Sequence, residues 1–74
     1  METTKRLLTA GDVRAERGRA VPIVSQEALA KELGWNTPAV IDIEVGKVQV
    51  TQEQLQAMLD AITRIVARRE EMTK

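Results

Sequence analysis

Two close carboxylate pairs, Asp42 with Glu44 and Glu70 with Glu71, are the residues of this 74-residue chain spaced for general acid–base work. Neither pair has a nucleophile or a glycine-rich loop beside it to hold and polarise a substrate. The chain contains no cysteine and no histidine. Thiol nucleophiles, thiolate metal sites, the imidazole proton shuttle and the commonest zinc ligand are therefore all missing. No enzyme, metal, cofactor or small-molecule substrate is expected. The chemistry left to these residues is non-covalent binding.

Eleven Lys and Arg balance eleven Asp and Glu, which weighs against an indiscriminately basic, histone-like binder. The apolar share is 43% but Trp35 is the sole aromatic, so the core must be aliphatic. The length suits one domain, 1–74, with a core over about 8–62 and frayed ends at 1–6 and 72–74. Lys5 and Arg6 precede only Leu7 and Leu8, too short a stretch for a signal peptide. No run approaches the ~20 apolar residues of a membrane span, and a cytoplasmic protein without a membrane partner is expected.

Four helices can be read from their boundaries. Thr9 caps the first, with Asp12 three residues on, and Gly18 in a left-handed conformation is expected to end it after Arg17. Pro22 forbids helix in the connection that follows. Ser25 caps a second helix bearing Ala28, Leu29 and Leu33 on one face, and Gly34 stops it. Asn36 caps a third, with Pro38 in its first turn, Val40 and Ile43 facing inward and Gly46 at its end. Two helices of roughly eight residues around a three-residue, glycine-containing break have the spacing of a helix-turn-helix. Thr51 and Gln54 form a capping box for a long helix from 52 to about 71. Four helices in one compact, all-α domain are the expected architecture.

The segments VRAERG (13–18), SQEALAKELG (25–34), VIDIEVGK (40–47) and TQEQL (51–55) resemble, in order and register, those of the Xre/Cro-like helix-turn-helix family of phage repressors and bacterial regulators. The resemblance covers roughly residues 8–62. It implies a lambda-repressor-like fold with a long C-terminal helix, and a repressor- or Cro-type regulator that binds duplex DNA as a homodimer. It places Gln26 at a position that contacts a DNA phosphate. Asn36, Thr37, Pro38, Ile41 and Asp42 fall on the recognition helix, and Lys47 follows it. Arg14 and Glu44 match a partly buried salt bridge between the first and third helices. Ala30, Gly34 and Val40 match positions where the two motif helices cross, and Trp35 is expected to plug the turn.

Two features depart from the family. Residues 19–23 are an insertion, read either as a tolerated loop or as an arm whose Arg17 and Arg19 touch phosphates or a partner. The recognition helix carries no cation between Asn36 and Val45, although Arg, Lys, Gln and Asn are the usual readers of base edges. Residues 1–19 carry net +2, residues 20–63 net −4 and residues 64–74 net +2, so the motif itself is the acidic part between two basic ends.

The strip Pro38, Ile41, Val45, with Asp42 beside it, equally suits a protein partner. That alternative is an antirepressor, a phage-encoded inhibitor or an antitoxin-like module. Leu55, Leu59, Ile62 and Val66 are spaced like a short heptad seam, and Leu59, Ile62, Ile65 and Val66 are the candidate dimerisation residues.

Overall fold

A computed structural model of the chain describes residues 7–72. It contains four helices: α1 (Ala10–Arg19), α2 (Gln26–Leu33), α3 (Thr37–Glu44) and α4 (Gln52–Met72). Each begins where a side chain satisfies the free amides of its first turn. Thr9 Oγ1 accepts from the Asp12 amide while the Asp12 carboxylate accepts from the Thr9 amide. Ser25 accepts from Ala28 N at 2.9 Å and Asn36 from Ala39 N at 3.1 Å. Thr51 and Gln54 exchange bonds in the same reciprocal way at the start of α4. Of the ends expected to fray, 1–6 and 72–74, residues 1–6 and 73–74 lie outside the described residues, and Met72 is helical.

The helix ends follow the glycines except in α1. Gly34 (φ 76°) and Gly46 (φ 81°) take the left-handed conformation and stop α2 and α3. Gly18 does not: α1 runs through it to Arg19, and the extended Ala20 (φ −68°, ψ 151°) leads the chain away. The incoming connection closes the last turn instead, through a hydrogen bond from Val24 N to the Arg17 carbonyl at 3.1 Å. The Val21–Pro22 peptide in this connection is cis.

The core is aliphatic. Val13 of α1, Val24 of the connection, Leu29 and Ala30 of α2, Val40 and Ile43 of α3, and Leu55, Met58, Ala61 and Ile62 of α4 are buried. Trp35 is half-buried against this cluster. The alternating stretch 47–50 forms no strand.

The long α4 continues to pack beyond the expected core boundary. Ile65 and Val66 lie against the core, and Arg64 Nε and Arg68 Nη2 donate to Glu32 of α2 at 2.9 and 2.7 Å. Arg69 donates to the carbonyls of Pro22 and Ile23. The arginines near the C-terminus are therefore cross-links to α2 and to the connection. At the other end of α4, the Gln52 side chain exchanges two 2.8 Å bonds with the backbone of Leu8.

The heptad-like seam is the inward stripe of α4. Ile62 is 5% exposed and Leu59, Ile65 and Val66 are half-buried against the core. Of the residues expected to form a dimer interface, Ile62 is buried in the domain, and Leu59, Ile65 and Val66 keep part of their surface exposed.

Two expectations follow. Gly18 sits in helical backbone with open space where a Cβ would stand. Gly18→Ala should thus raise stability by about 0.5–1 kcal/mol, whereas Gly34→Ala at φ 76° should lose about 1–2 kcal/mol; urea denaturation midpoints check both signs. The second concerns acid. Hydrogen bonds from Arg68, then Arg64, hold the Glu32 carboxyl below its usual 4.5. A lowered folded pKa stabilises above the unfolded value and stops doing so as pH falls through the folded one. Wild type and Glu32→Gln should differ at neutral pH and converge as the medium is acidified below 4.5, with a gap that shrinks in salt because the pair is near the surface.

Candidate nucleic-acid interface

The turn between α2 and α3 is set by its backbone. Gly34 N donates to the Lys31 carbonyl at 3.2 Å and Trp35 N to the Ala30 carbonyl at 2.9 Å, which leaves Asn36 placed to cap α3. Ala30 is buried with little side chain to separate the two helices. With Val40 and Ile43 directed into the core, Pro38, Ile41, Asp42 and Val45 occupy the opposite side of α3. At 3.6 residues per turn those four fall within roughly 100° of the helix circumference.

This outer face is apolar apart from one acid. Pro38 is exposed, Ile41 is 37% and Val45 64% exposed, and Asp42 is half-buried. The apolar residues of the strip expected from the sequence are thus exposed, Ile41 the least of them. Val48, three residues beyond Val45, is exposed as well; its place in the alternating stretch 47–50 was the only signal for it. Thr37 is half-buried at the start of α3, and Lys47 is exposed just past its end, its amide bonded to the Asp42 carbonyl at 2.8 Å.

Behind this face, Glu44 is the junction of three helices. Its side chain is 3% exposed. Arg17 of α1 grips it with Nε on Oε2 at 2.8 Å and Nη2 on Oε1 at 2.7 Å. Gln26 of α2 donates Nε2 to Oε1 at 3.1 Å. The remaining Arg17 nitrogen, Nη1, donates to the Val24 carbonyl at 3.0 Å.

The expected Arg14–Glu44 pair is therefore replaced by Arg17–Glu44, and Arg14 is exposed. The physical reason lies in α1 and the connection after it. Residues 14 and 17 share a face of α1, and the connection returns its Val24 backbone beside residue 17, where one guanidinium serves both partners. The same bonds remove Arg17 from the expected phosphate contacts, because its side chain is 11% exposed and its guanidinium is bonded to Glu44 and Val24.

The other candidate contacts are scattered by comparison. Gln26 occupies the first position of α2, half-buried, with its amide held by Glu44. Arg19 is exposed on α1 and paired with Glu16 at 3.1 Å in its own helix. Among the described residues, Arg14, Lys31 and Lys47 are exposed cations without an ion pair. Arg14 and Lys31 were not singled out from the sequence as binding residues, since nothing but their exposure marks them. The described residues include no group of carboxylates placed to hold a metal ion and no helix long and apolar enough to cross a membrane.

The helix-turn-helix family matches residues 23–63 of the chain. That span takes in α2, α3 and the first part of α4, and leaves outside it α1, the helix that supplies Arg17 to Glu44. No curated protein and no solved structure matches the chain.

The exchange of arginines has a direct check. Arg17→Ala strands a buried carboxylate and should cost about 3–5 kcal/mol. Arg14→Ala removes only an exposed side chain and should stay within about 0.5 kcal/mol of wild type. Urea denaturation of the two variants measures the difference; equal losses would put the pairing back at position 14.

Proposed function

The chain belongs to the Xre-like helix-turn-helix family, and on that premise we propose that it is a small transcriptional regulator that binds duplex DNA through α2 and α3. The observation that carries this reading is the outer face of α3, where Pro38, Ile41 and Val45 are exposed, with Gln26 at the N-terminus of α2 bonded to Glu44 of α3. In this arrangement α3 lies in the major groove and α2 crosses the backbone above it. Gln26, anchored on Glu44 through one amide hydrogen, offers the other to a phosphate. Asn36 uses its carbonyl oxygen in the cap, so its amide nitrogen is left to donate. Thr37 presents a hydroxyl, Lys47 a point charge, and Arg19 exchanges Glu16 for a phosphate. Regulation requires no catalysis, only occupancy of a promoter site.

A homodimer on a two-fold site suits such a regulator. A surface for a second copy is the groove of α1 and α4 lined by Arg19, Ala20, Ala67 and the half-buried Val66.

A second reading rests on the strip Pro38, Ile41, Val45. An apolar face with one acid and no cation also fits a protein partner, as in an antirepressor, a phage-encoded inhibitor or an antitoxin-like module.

Fluorescence anisotropy with duplex DNA at ~50 and ~200 mM salt separates the two readings. DNA binding should weaken with salt, and Lys47→Ala should lower the slope of log affinity against log salt by about 1. Asp42→Asn should tighten binding by removing a carboxylate that faces the phosphates. Absence of binding to any duplex at ~50 mM salt would overturn the DNA reading and leave the protein-interaction one.

A further inference from the structure

We propose that α3 selects its site through thymine methyl groups and disfavours guanine at the centre of its contact. This inference rests on the reading of α3 as the groove-facing helix and adds the class of sequence it takes. Guanine shows only acceptors, O6 and N7, in the major groove, and adenine pairs an acceptor with an amino donor. Reading either acceptor requires a donor on the protein. The outer face of α3 has none: Pro38, Ile41 and Val45 end in carbon, and an ionised Asp42 only accepts. Glu44, the other polar residue near the end of α3, is turned inward onto Arg17 and Gln26.

The donors that remain, Asn36, Thr37 and Lys47, sit at the two ends of the helix. Between them, a guanine would lose water from O6 and N7 and gain no partner, which costs more than an unmade bond in water. It would also face the Asp42 carboxylate. A thymine at the same place buries its C5 methyl on Ile41 or a neighbour. Asp42 can accept from the amino group of adenine or of cytosine alike, so the methyl group and the unserved guanine acceptors carry the discrimination. Pro38 and Val45 are seven residues apart, so the strip is about 10 Å long, close to three base-pair steps of ~3.4 Å. A short thymine-bearing run is the chemistry that this face fits.

The test uses the full chain and labelled hairpin duplexes of equal length at ~50 mM salt, with alternating dA·dT, the same duplex with deoxyuridine for thymidine, alternating dG·dC, and dG·dC with 5-methylcytosine. Deoxyuridine differs from thymidine only by the methyl group. Its substitution should weaken binding about fourfold for each methyl buried. The dG·dC duplex should bind more weakly than dA·dT, and 5-methylcytosine should recover part of the loss. Ile41→Ala, at an exposed position, should bring the thymidine-to-deoxyuridine ratio close to one while the circular dichroism spectrum stays unchanged. Equal affinity for the thymidine and deoxyuridine duplexes, or an unchanged ratio in Ile41→Ala, overturns the inference and leaves DNA binding standing. Failure to bind any of the four duplexes overturns DNA binding itself, and the inference with it.

Discussion

The Glu44 carboxylate is the constraint around which the domain is arranged. An ionised group withdrawn from water to this extent is tolerated only when its oxygens are fully engaged by donors. Here the donors come from two other helices, a guanidinium from α1 and an amide from α2. The requirement fixes the register of α1 against the helix-turn-helix, because only one turn of α1 can present an arginine at the right depth. It also fixes the connection. Arg17 has a nitrogen left over, that nitrogen takes the Val24 carbonyl, and Val24 is thereby delivered to the core. The Arg17 carbonyl returns the bond to Val24 N. The connection after α1 is held where it returns to that helix, by two bonds between Arg17 and Val24.

The local features of this fold were legible in the sequence because they depend on neighbours in the chain. A Ser, Thr or Asn three residues before an amide it can accept from marks a helix start, and all four caps stand where that pattern placed them. Gly34 and Gly46 end their helices because the chain must reverse there. Gly18 was misleading because glycine permits a left-handed turn without demanding one; α1 leaves in an extended direction, so the freedom goes unused. The apolar strip on α3 was equally legible, since inward Val40 and Ile43 fix the outward residues by helical periodicity alone.

What the sequence concealed depends on distance across the fold. Arg14 and Arg17 are both arginines on one face of one helix, and no local rule chooses between them. In the fold Arg17, and not Arg14, lies beside both Glu44 and the Val24 backbone. The stripe on α4 is a similar case. Spacings of four, three and four describe a helix facing a second copy and a helix facing its own domain equally well. The bonds from Arg64 and Arg68 to Glu32, from Arg69 to the connection and between Gln52 and Leu8 join residues more than thirty positions apart. No periodicity encodes them.

The net charge of zero now has a spatial meaning. Arg17, Arg64, Arg68 and Arg69, four of the eleven cations, are engaged by other parts of the domain, Arg17 in its interior and the other three at its surface, and hold its helices and its connection together. These charges stabilise structure and are removed or diminished as a field for attracting phosphates. The outer face of α3 adds an acid to that deficit. A duplex approaching this face therefore meets less long-range attraction than a typical basic reader would supply, so close apolar fit must account for more of the affinity. Apolar fit falls off within contact distance, whereas charge reaches out to about a Debye length, ~10 Å at 0.1 M salt. For a protein that docks α3 on DNA, such a balance slows non-specific capture and leaves discrimination to the last few ångströms. The arginines that hold the scaffold and the apolar residues that cover its outer helix are thus two sides of one allocation of charge.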